Sequence, residues 1–141
     1  MEELFVYALL FCAGYEKYDE YRDTLDNLFL IHPHDDELLD LYGREYKDAM
    51  LHLLYLMNEI SFDIEQFGRR LMSKIQEIYE MDCLDYFAKN MYELWCRLPE
   101  NICYEEPFYI LNYADEPLSW GDEEQCRSLY EDAIYYYDND K

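Results

Sequence analysis

The amino-acid sequence predicts an all-α protein, a single-domain bundle of about five to six helices. Three observations predict this class. Apolar residues recur every three or four positions through most of the chain, which is the period of an α-helix with one buried face. Helix start signals precede several of these apolar stripes. The chain is also 51% hydrophobic and 18% aromatic, a composition that excludes intrinsic disorder despite the high charge.

The apolar stripes define the predicted helices in chain order. The first helix contains the apolar run 4–13. Three stripes follow: Tyr18, Tyr21, Leu25, Leu28 and Phe29; then Tyr46, Met50, Leu53, Leu54, Met57 and Ile60; then Ile64, Phe67, Leu71, Ile75 and Ile78. The two clearest come last: Leu84, Phe87, Ala88, Met91, Leu94, Trp95 and Leu98, and then Cys126, Leu129, Tyr130, Ala133, Ile134 and Tyr137. A chain of 141 residues can bury this apolar surface in one core, so residues 1–141 are predicted to form a single acidic helical domain.

The strongest helix start signal lies before the stripe that begins at position 64. Asp63 has Gln66 three residues later, which is the spacing of a capping box. Phe62 and Phe67 stand on either side of this start, at the positions of a hydrophobic staple. We therefore expect a helix to begin directly after Asp63.

The last two helices enclose an irregular segment. Asp82 is predicted to open the first of them and Pro99 to close it, and Ser119 with Asp122 is predicted to open the second. Residues 99–121 hold three of the four prolines and no long period. They are predicted to form either a long loop with one short helix or two short strands. The segment is too apolar for a linker, so we expect it to pack over the bundle.

The charge of the chain is strongly one-sided. Thirty-three Asp and Glu residues stand against eleven Lys and Arg, for a formal net charge of −22. This charge repels nucleic-acid phosphates and anionic lipids, so we expect no direct nucleic acid ligand and no membrane, and a basic protein as the partner. The apolar run 4–13 is too short to span a bilayer and follows two glutamates rather than the basic residues of a signal peptide. We therefore expect a cytoplasmic protein.

The cysteines form neither a metal-binding nor a disulfide pattern. There are five of them, an odd number, and no two stand in a C-x-x-C pair. We expect free, reduced thiols buried among apolar neighbours. These residues are Cys12, Cys83, Cys96, Cys103 and Cys126.

The stretch FLIHPHDDELLDLYG, residues 29–43, places two histidines and three carboxylates within six positions. The string PHDDE, from Pro33 to Glu37, resembles the HPDDE box of zinc-dependent deacetylases that act on N-acetylglucosamine conjugates. His34 and Asp35 also resemble the dyad of the HD phosphohydrolases. Either resemblance implies a metal-dependent hydrolase.

The further ligands of both families are missing from the chain. The deacetylases have another histidine motif downstream, where this chain has only His52, and the HD enzymes have a histidine upstream, where none precedes His32. Asp48 and His52 are one helical turn apart, but two ligands do not complete a metal site. No other catalytic motif is present.

The alternative interpretation of this stretch is structural. Pro33 ends one helix, and Asp35, Asp36 and Glu37 occupy the first turn of the next, where carboxylates cap free N–H groups and face the positive end of the helix dipole. We therefore predict no catalytic residue, no metal and no cofactor. A small metal-dependent hydrolase that uses the HPHDDE segment remains the second alternative.

Carboxylates gather opposite two of the apolar stripes and form two predicted partner-binding faces. The first face lies on the second helix and consists of Glu16, Asp19, Glu20 and Asp23. The second face lies on the last helix, where Glu124, Glu131 and Asp132 surround Tyr135. Exposed carboxylates steer a basic partner, and tyrosine supplies a large rigid contact with a polar tip. We predict that the partner-binding surface includes one of these two faces.

The predicted function is non-enzymatic: an inhibitor or immunity-type antitoxin that binds a basic protein such as a nuclease. A charge of −22 on this chain exceeds what solubility requires and lowers stability through self-repulsion. The alternatives are an acidic scaffold or subunit of a larger assembly, and a DNA mimic. Mimicry requires several helices to aim their carboxylates at one side, to match one charge per about 1.7 Å of B-DNA. Inhibition of one basic partner is therefore preferred.

Overall fold

In the computed structural model, which describes residues 1–139, all regular structure is helical. The helices are α1 (Glu2–Cys12), α2 (Tyr18–Ile31), α3 (Asp36–Tyr42), α4 (Tyr46–Glu59), α5 (Ile64–Met81), α6 (Leu84–Trp95), α7 (Glu100–Cys103), α8 (Ile110–Tyr113), α9 (Glu116–Ser119) and α10 (Glu123–Ile134), followed by a 3-10 helix (Tyr136–Asn139). The all-α class is confirmed. The described residues form more helices than the predicted five to six, because short helices form between the longer ones.

Helix α1 forms the centre of the core. Its residues 4–10 are all buried, and seven successive positions cover every side of a helix. Helices α4 and α5 pack most extensively against it, and α2 and α6 also contact it. Although α1 is the most apolar helix, no helix within residues 1–139 is both long and apolar enough to cross a membrane.

The helices around α1 bury only one face each. The buried face of α5 carries Phe67, Leu71, Ile75 and Ile78, and that of α10 carries Cys126, Tyr130, Ala133 and Ile134. The Tyr130 ring meets Phe87 of α6 edge to face, with 4.8 Å between the ring centroids. Helix α2 buries only Tyr21 and Leu25, so most of its surface faces solvent.

Residues 99–121 form three short helices, α7 to α9, and no strand, so the short-strand alternative is wrong. The segment packs over the bundle as predicted, because Ile102, Phe108, Leu111 and Ala114 are all buried. Helix α8 contacts both α6 and α10, and α9 contacts α10. Pro99 directly precedes α7 and Pro117 lies in the first turn of α9, where a missing backbone N–H is tolerated.

Two of the predicted helix starts are confirmed in atomic detail. The Asp63 carboxylate accepts a hydrogen bond from the Gln66 backbone N–H at 3.0 Å, and Asp122 accepts one from Gln125 at the same distance. The Phe62 and Phe67 rings pack at 5.4 Å between centroids, as a hydrophobic staple requires.

The predicted role of Asp82 is wrong. The residue before α6 is Cys83, and the Asp82 carboxylate instead accepts a hydrogen bond from the Tyr15 hydroxyl at 2.7 Å. The same hydroxyl accepts a bond from the Asn90 side-chain amide at 2.9 Å. Ser119 also has another role, since it ends α9 and donates to the Glu116 carbonyl at 2.7 Å. Asp82 therefore binds a partner that the local sequence does not reveal, whereas Ser119 binds the preceding turn.

The C-terminal 3-10 helix docks on α5 through one tyrosine. The Tyr137 ring lies over Gly68, where an added Cβ would overlap the Tyr137 hydroxyl. The Arg69 guanidinium lies 5.1 Å from the centroid of the same ring. We call this contact the Tyr137 dock. It requires a residue without a side chain at position 68, in the middle of α5.

All five cysteines are free, as predicted, but they are not all buried. Cys103 and Cys126 are buried and Cys12 is half-buried. Cys83 and Cys96 are exposed, which corrects the prediction of burial. The reason is positional: Cys83 and Cys96 flank the two ends of α6, where the helix meets the surface.

Candidate protein-binding surface

The first predicted face lies on and just before α2 and is mostly open to solvent. Glu16, Asp19 and Asp23 are exposed. Glu20 differs, because it is half-buried and its Oε2 atom lies 3.4 Å from Lys74 Nζ of α5. One of the four predicted carboxylates is therefore already matched by a cation of the same chain.

The second predicted face lies on α10, and all four of its residues are exposed. The Glu131 carboxylate accepts a hydrogen bond from the Tyr79 hydroxyl at 3.2 Å, and the Tyr135 hydroxyl accepts one from Gln76 at 3.4 Å. Glu124 and Asp132 make no such contact within residues 1–139. These bonds hold Glu131 and Tyr135 against α5 and leave Glu124 and Asp132 free to meet a partner.

The two faces border α5 from different sides. Lys74 reaches the first face and Tyr79 reaches the second. Five residues along an α-helix correspond to a rotation of about 140° around its axis. The outer side of α5 between them carries Arg69 and Arg70 together with Glu65, Glu77 and Glu80, and the two arginines pair with Glu65 and Glu3. The predicted faces are therefore two separate acidic surfaces on different sides of α5.

Most carboxylates of the predicted faces lack an internal counterion. Within residues 1–139, no cationic group lies within 4.0 Å of a carboxylate oxygen of Glu16, Asp19, Asp23, Glu124 or Asp132. In the same part of the chain only eight carboxylates have such a neighbour, although the sequence contains 33. The acidic charge is therefore mostly not used to pair the helices with each other.

The structure also reveals a surface that the sequence reasoning missed. Five aromatic rings from α6 and the segment after it meet at one place, and we call them the aromatic patch. They are Tyr92, Trp95, Tyr104, Tyr109 and Tyr113. Three of these side chains are well exposed: Tyr104 at 67%, Tyr92 at 41% and Tyr109 at 37%.

Three rings of the aromatic patch form a triangle. The ring centroids lie 5.9 Å apart for Trp95 and Tyr104, 6.4 Å for Trp95 and Tyr109, and 5.7 Å for Tyr104 and Tyr109. The rings are inclined to one another by 51° to 74°. The Trp95 indole N–H donates to the Cys103 carbonyl at 2.8 Å, which fixes the indole in place. The triangle is therefore anchored on its Trp95 side.

Carboxylates lie beside the aromatic patch. Burial raises the pKa of Tyr113, and the negative charges of Glu106 and Asp132 raise it further. Asp132 belongs to the second predicted face, so this face and the aromatic patch are neighbours. Residues 98–126 contain eight acidic residues and no Lys or Arg, a local signal that could have drawn attention to the segment.

The two histidines of the HPHDDE segment do not meet its carboxylates in a common site. His32, His34 and Asp36 are exposed. Asp35 caps α3, because its carboxylate accepts from the backbone N–H groups of Glu37 and Leu38 at 2.9 and 3.3 Å. The structural interpretation of Asp35 is therefore confirmed.

One group near this segment has the composition of a metal site. Glu37, Asp40 and His52 each offer one ligand atom, and these atoms lie within 4.8 Å of one another. His52 Nε2 is 3.4 Å from the Glu37 carboxylate and 3.5 Å from that of Asp40. Asp48, one helical turn before His52, does not join this group and pairs with Arg44 at 3.2 Å instead.

Arg44 also limits what this group can bind. Its guanidinium Nε lies 2.7 Å from the Asp40 carboxylate, so a cation already holds one of the three ligands. The positive charge of Arg44 offsets the negative charge of Asp40, so less net negative charge is left to attract a metal ion. The contacts are those of a surface ion-pair network between α3 and α4, in which His52 bridges the two helices.

Comparison with known proteins gives no relative for this arrangement. The chain matches no protein-family model, no curated protein and no solved structure. The function has to be argued from the surface itself.

Proposed function

We propose that this protein binds a basic protein through its acidic surface, and that it acts as an inhibitor or immunity-type antitoxin of a basic enzyme such as a nuclease. The observation that carries the proposal is the set of exposed carboxylates on α2 and α10 that have no counterion within residues 1–139. Carboxylates left without internal partners weaken the fold by mutual repulsion, and a basic partner would relieve this repulsion on binding. The charge then serves association rather than folding.

The separation of the two faces supports a local contact over DNA mimicry. A mimic would present its carboxylates in one continuous array at the spacing of duplex phosphates. The faces on α2 and α10 border α5 from different sides, so their carboxylates do not form one continuous array. One basic partner would therefore engage one face. The face on α10 is the better candidate, because exposed aromatic rings adjoin it.

The test is capture of a basic protein at low salt by the tagged chain, followed by binding kinetics with charge-reversed variants. Glu124→Lys with Asp132→Lys should slow association with that partner about tenfold or more at low ionic strength. The effect should shrink above ~0.15 M salt, where the Debye length is about 8 Å. Dissociation should change much less.

Two matched variants control this experiment. Glu16→Lys with Asp23→Lys makes the same charge change on the α2 face, and Glu45→Lys with Glu59→Lys makes it at exposed sites outside both faces. If all three pairs of substitutions slowed association equally, neither face would be the binding site, and the charge would be a general solubility feature. If the partner is an enzyme, one equivalent of this protein should inhibit it, and uninhibited activity in the complex would favour the scaffold alternative.

A further inference from the structure

The aromatic patch differs from four tyrosine rings that are each covered by a cation, because within residues 1–139 no cation covers its rings. Arg22, Lys74 and Arg127 lie 4.8 to 5.9 Å from the ring centroids of Tyr42, Tyr7 and Tyr79, and Arg69 covers Tyr137. Within residues 1–139, no such contact forms at the rings of the aromatic patch. The ring faces that attract a cation are therefore available to a partner.

The triangle has the size to receive one cationic group. The point equidistant from the Trp95, Tyr104 and Tyr109 centroids lies about 3.5 Å from each, so a cation up to ~4.5 Å above it stays within ~6 Å of all three centroids and can stack on a ring that turns its face to it. Trp95 and Tyr104 meet edge to face and Tyr109 is tilted against both, with centroids at most 6.4 Å apart, so a cation has to rest on the solvent side of the rings. Tyr104 is the most exposed of the three rings and therefore the most accessible to such a cation.

The surroundings of the triangle favour a positive guest. The segment that carries Tyr104 and Tyr109 has eight acidic residues and no Lys or Arg between positions 98 and 126. Glu106 and Asp132 act on the adjacent Tyr113, and within residues 1–139 neither carboxylate has a cation within 4.0 Å. A guest that stacks on the rings therefore also meets unneutralised carboxylates.

We propose that the aromatic patch receives an arginine side chain of the basic partner, with its guanidinium on the triangle of Trp95, Tyr104 and Tyr109 and with Glu106 and Asp132 as the nearby counter-charges. The proposal rests on the proposed function and names the contact within it. Arginine fits better than lysine, because a guanidinium is planar, stacks on ring faces and is more weakly hydrated than an ammonium group. This contact would supply specificity, while the face on α10 supplies the attraction at a distance.

The experiment compares two peptides of equal charge, hexa-arginine and hexa-lysine. The chain has two tryptophans, so a Trp120→Phe background leaves Trp95 as the only indole reporter. Trp120 is 67% exposed, and its replacement should not disturb the core. In 0.15 M salt, hexa-arginine should shift the Trp95 emission and bind about three- to tenfold more tightly than hexa-lysine.

Variants of Tyr104 separate stacking from charge. Tyr104→Ala should weaken hexa-arginine binding about threefold or more and leave hexa-lysine binding unchanged, while Tyr104→Phe keeps the ring face and should retain the affinity. Tyr55→Ala is the matched control, because Tyr55 is 59% exposed but lies on α4, outside the aromatic patch. It should leave both affinities unchanged.

The outcomes distinguish this proposal from the proposed function. Equal binding of both peptides, lost in Glu124→Lys with Asp132→Lys but not in Tyr104→Ala, would overturn the arginine site and leave the acidic face standing. Failure of both peptides to bind even at low salt would overturn both. Two further results would also overturn the arginine site, because each assigns the aromatic patch to another occupant. One is tighter binding of tetramethylammonium than of guanidinium. The other is a dimer in sedimentation experiments that Tyr104→Ala abolishes.

Discussion

Two groups of tyrosine rings in this protein have opposite surroundings. In the first group, each ring lies under a cation of the same chain: Tyr7 under Lys74, Tyr42 under Arg22, Tyr79 under Arg127 and Tyr137 under Arg69. In the second group, the aromatic patch, the rings pack against one another, and within residues 1–139 no cation lies over them. The chain has eleven Lys and Arg, so four of them serve the first group while residues 98–126 contain none.

The difference separates rings that hold the fold from rings that face outward. The covered rings join distant elements: Lys74 of α5 lies over Tyr7 of α1, and Arg69 lies over Tyr137 of the terminal 3-10 helix. They are buried or half-buried. Tyr104 and Tyr109 are exposed and lie on the segment between α6 and α10. Substitutions should therefore lower stability in the first group and affect binding in the second.

The largest expected effect contrasts Tyr137 with Tyr104. Tyr137→Ala should lower the free energy of unfolding by about 2 kcal/mol, because it removes a half-buried ring from its contact with Gly68 and Arg69. Tyr104→Ala should stay within about 0.5 kcal/mol of the parent, since its side chain is mostly in water. Urea unfolding at pH 7 measures both. If both variants lost similar amounts of stability, the cation-covered rings and the aromatic patch would not differ in their contribution to the fold.

A smaller effect is expected at Gly68, where the surrounding residues decide the sign. In the parent protein, Gly68→Ala should destabilise by about 1 kcal/mol, because the new Cβ displaces Tyr137 by more than the gain in helix propensity offsets. In a Tyr137→Ala background the same change should stabilise by about 0.5–1 kcal/mol, since only the propensity gain remains. A double-mutant cycle measures the reversal. The same sign in both backgrounds would show that Tyr137 does not dock on Gly68.

Alkaline pH should lower the stability of the parent protein more than that of a variant without the Tyr137 hydroxyl. Burial is the main cause that raises the pKa of Tyr137 to about 12, from an ordinary value of 10.0. Above pH 10 the unfolded chain therefore loses this proton first, and stability falls as the pH rises from about 10 to 12. Tyr137→Phe should reduce this fall by about 1 kcal/mol at pH 11 relative to its own value at pH 8. Parallel stability profiles for the variant and its parent would contradict the burial of this hydroxyl.

The smallest expected effect belongs to the cation itself. Arg69→Gln removes both the contact with the Tyr137 ring and an ion pair with Glu65 at 3.1 Å. Arg69→Gln should lower the free energy of unfolding of the parent by about 0.5–1 kcal/mol. In a Tyr137→Ala background the loss should be about 0.5 kcal/mol smaller, because only the ion pair is removed there. Unfolding of the four proteins measures the difference. A difference of zero would mean that Arg69 only lies near the ring.

Local signals predicted the helices well where one residue acts on its immediate neighbours. Asp63 and Asp122 cap their helices, and the Phe62 and Phe67 staple forms, because all of these contacts span at most five residues. Asp82 shows the limit of such signals. Its carboxylate accepts a hydrogen bond from the Tyr15 hydroxyl, 67 positions away in the chain, instead of capping α6. No local spacing reveals this distant donor.

The candidate surface was predicted only in part for the same reason. The exposed carboxylates of α10 follow from helical periodicity alone. The aromatic patch does not, because Trp95 lies fourteen positions before Tyr109 and three short helices separate α6 from α10. Glu20 matched the predicted face by its position on the helix, yet Lys74 of α5 partly neutralises it.

The sequence by itself determined the helical class, the buried stripes and the net charge of −22, because periodicity acts within one helix and formal charges add up without reference to structure. Ion pairs one helical turn apart, such as Arg69 with Glu65, follow from sequence spacing, but only the tertiary structure decided that Glu20 meets Lys74 and which distant aromatic rings meet. These properties depend on distances of a few ångströms between side chains far apart in the chain, and packing of α5, α6, α8 and α10 sets those distances. The composition therefore predicts the acidic character of the protein, but it does not predict which part of the surface a partner would bind.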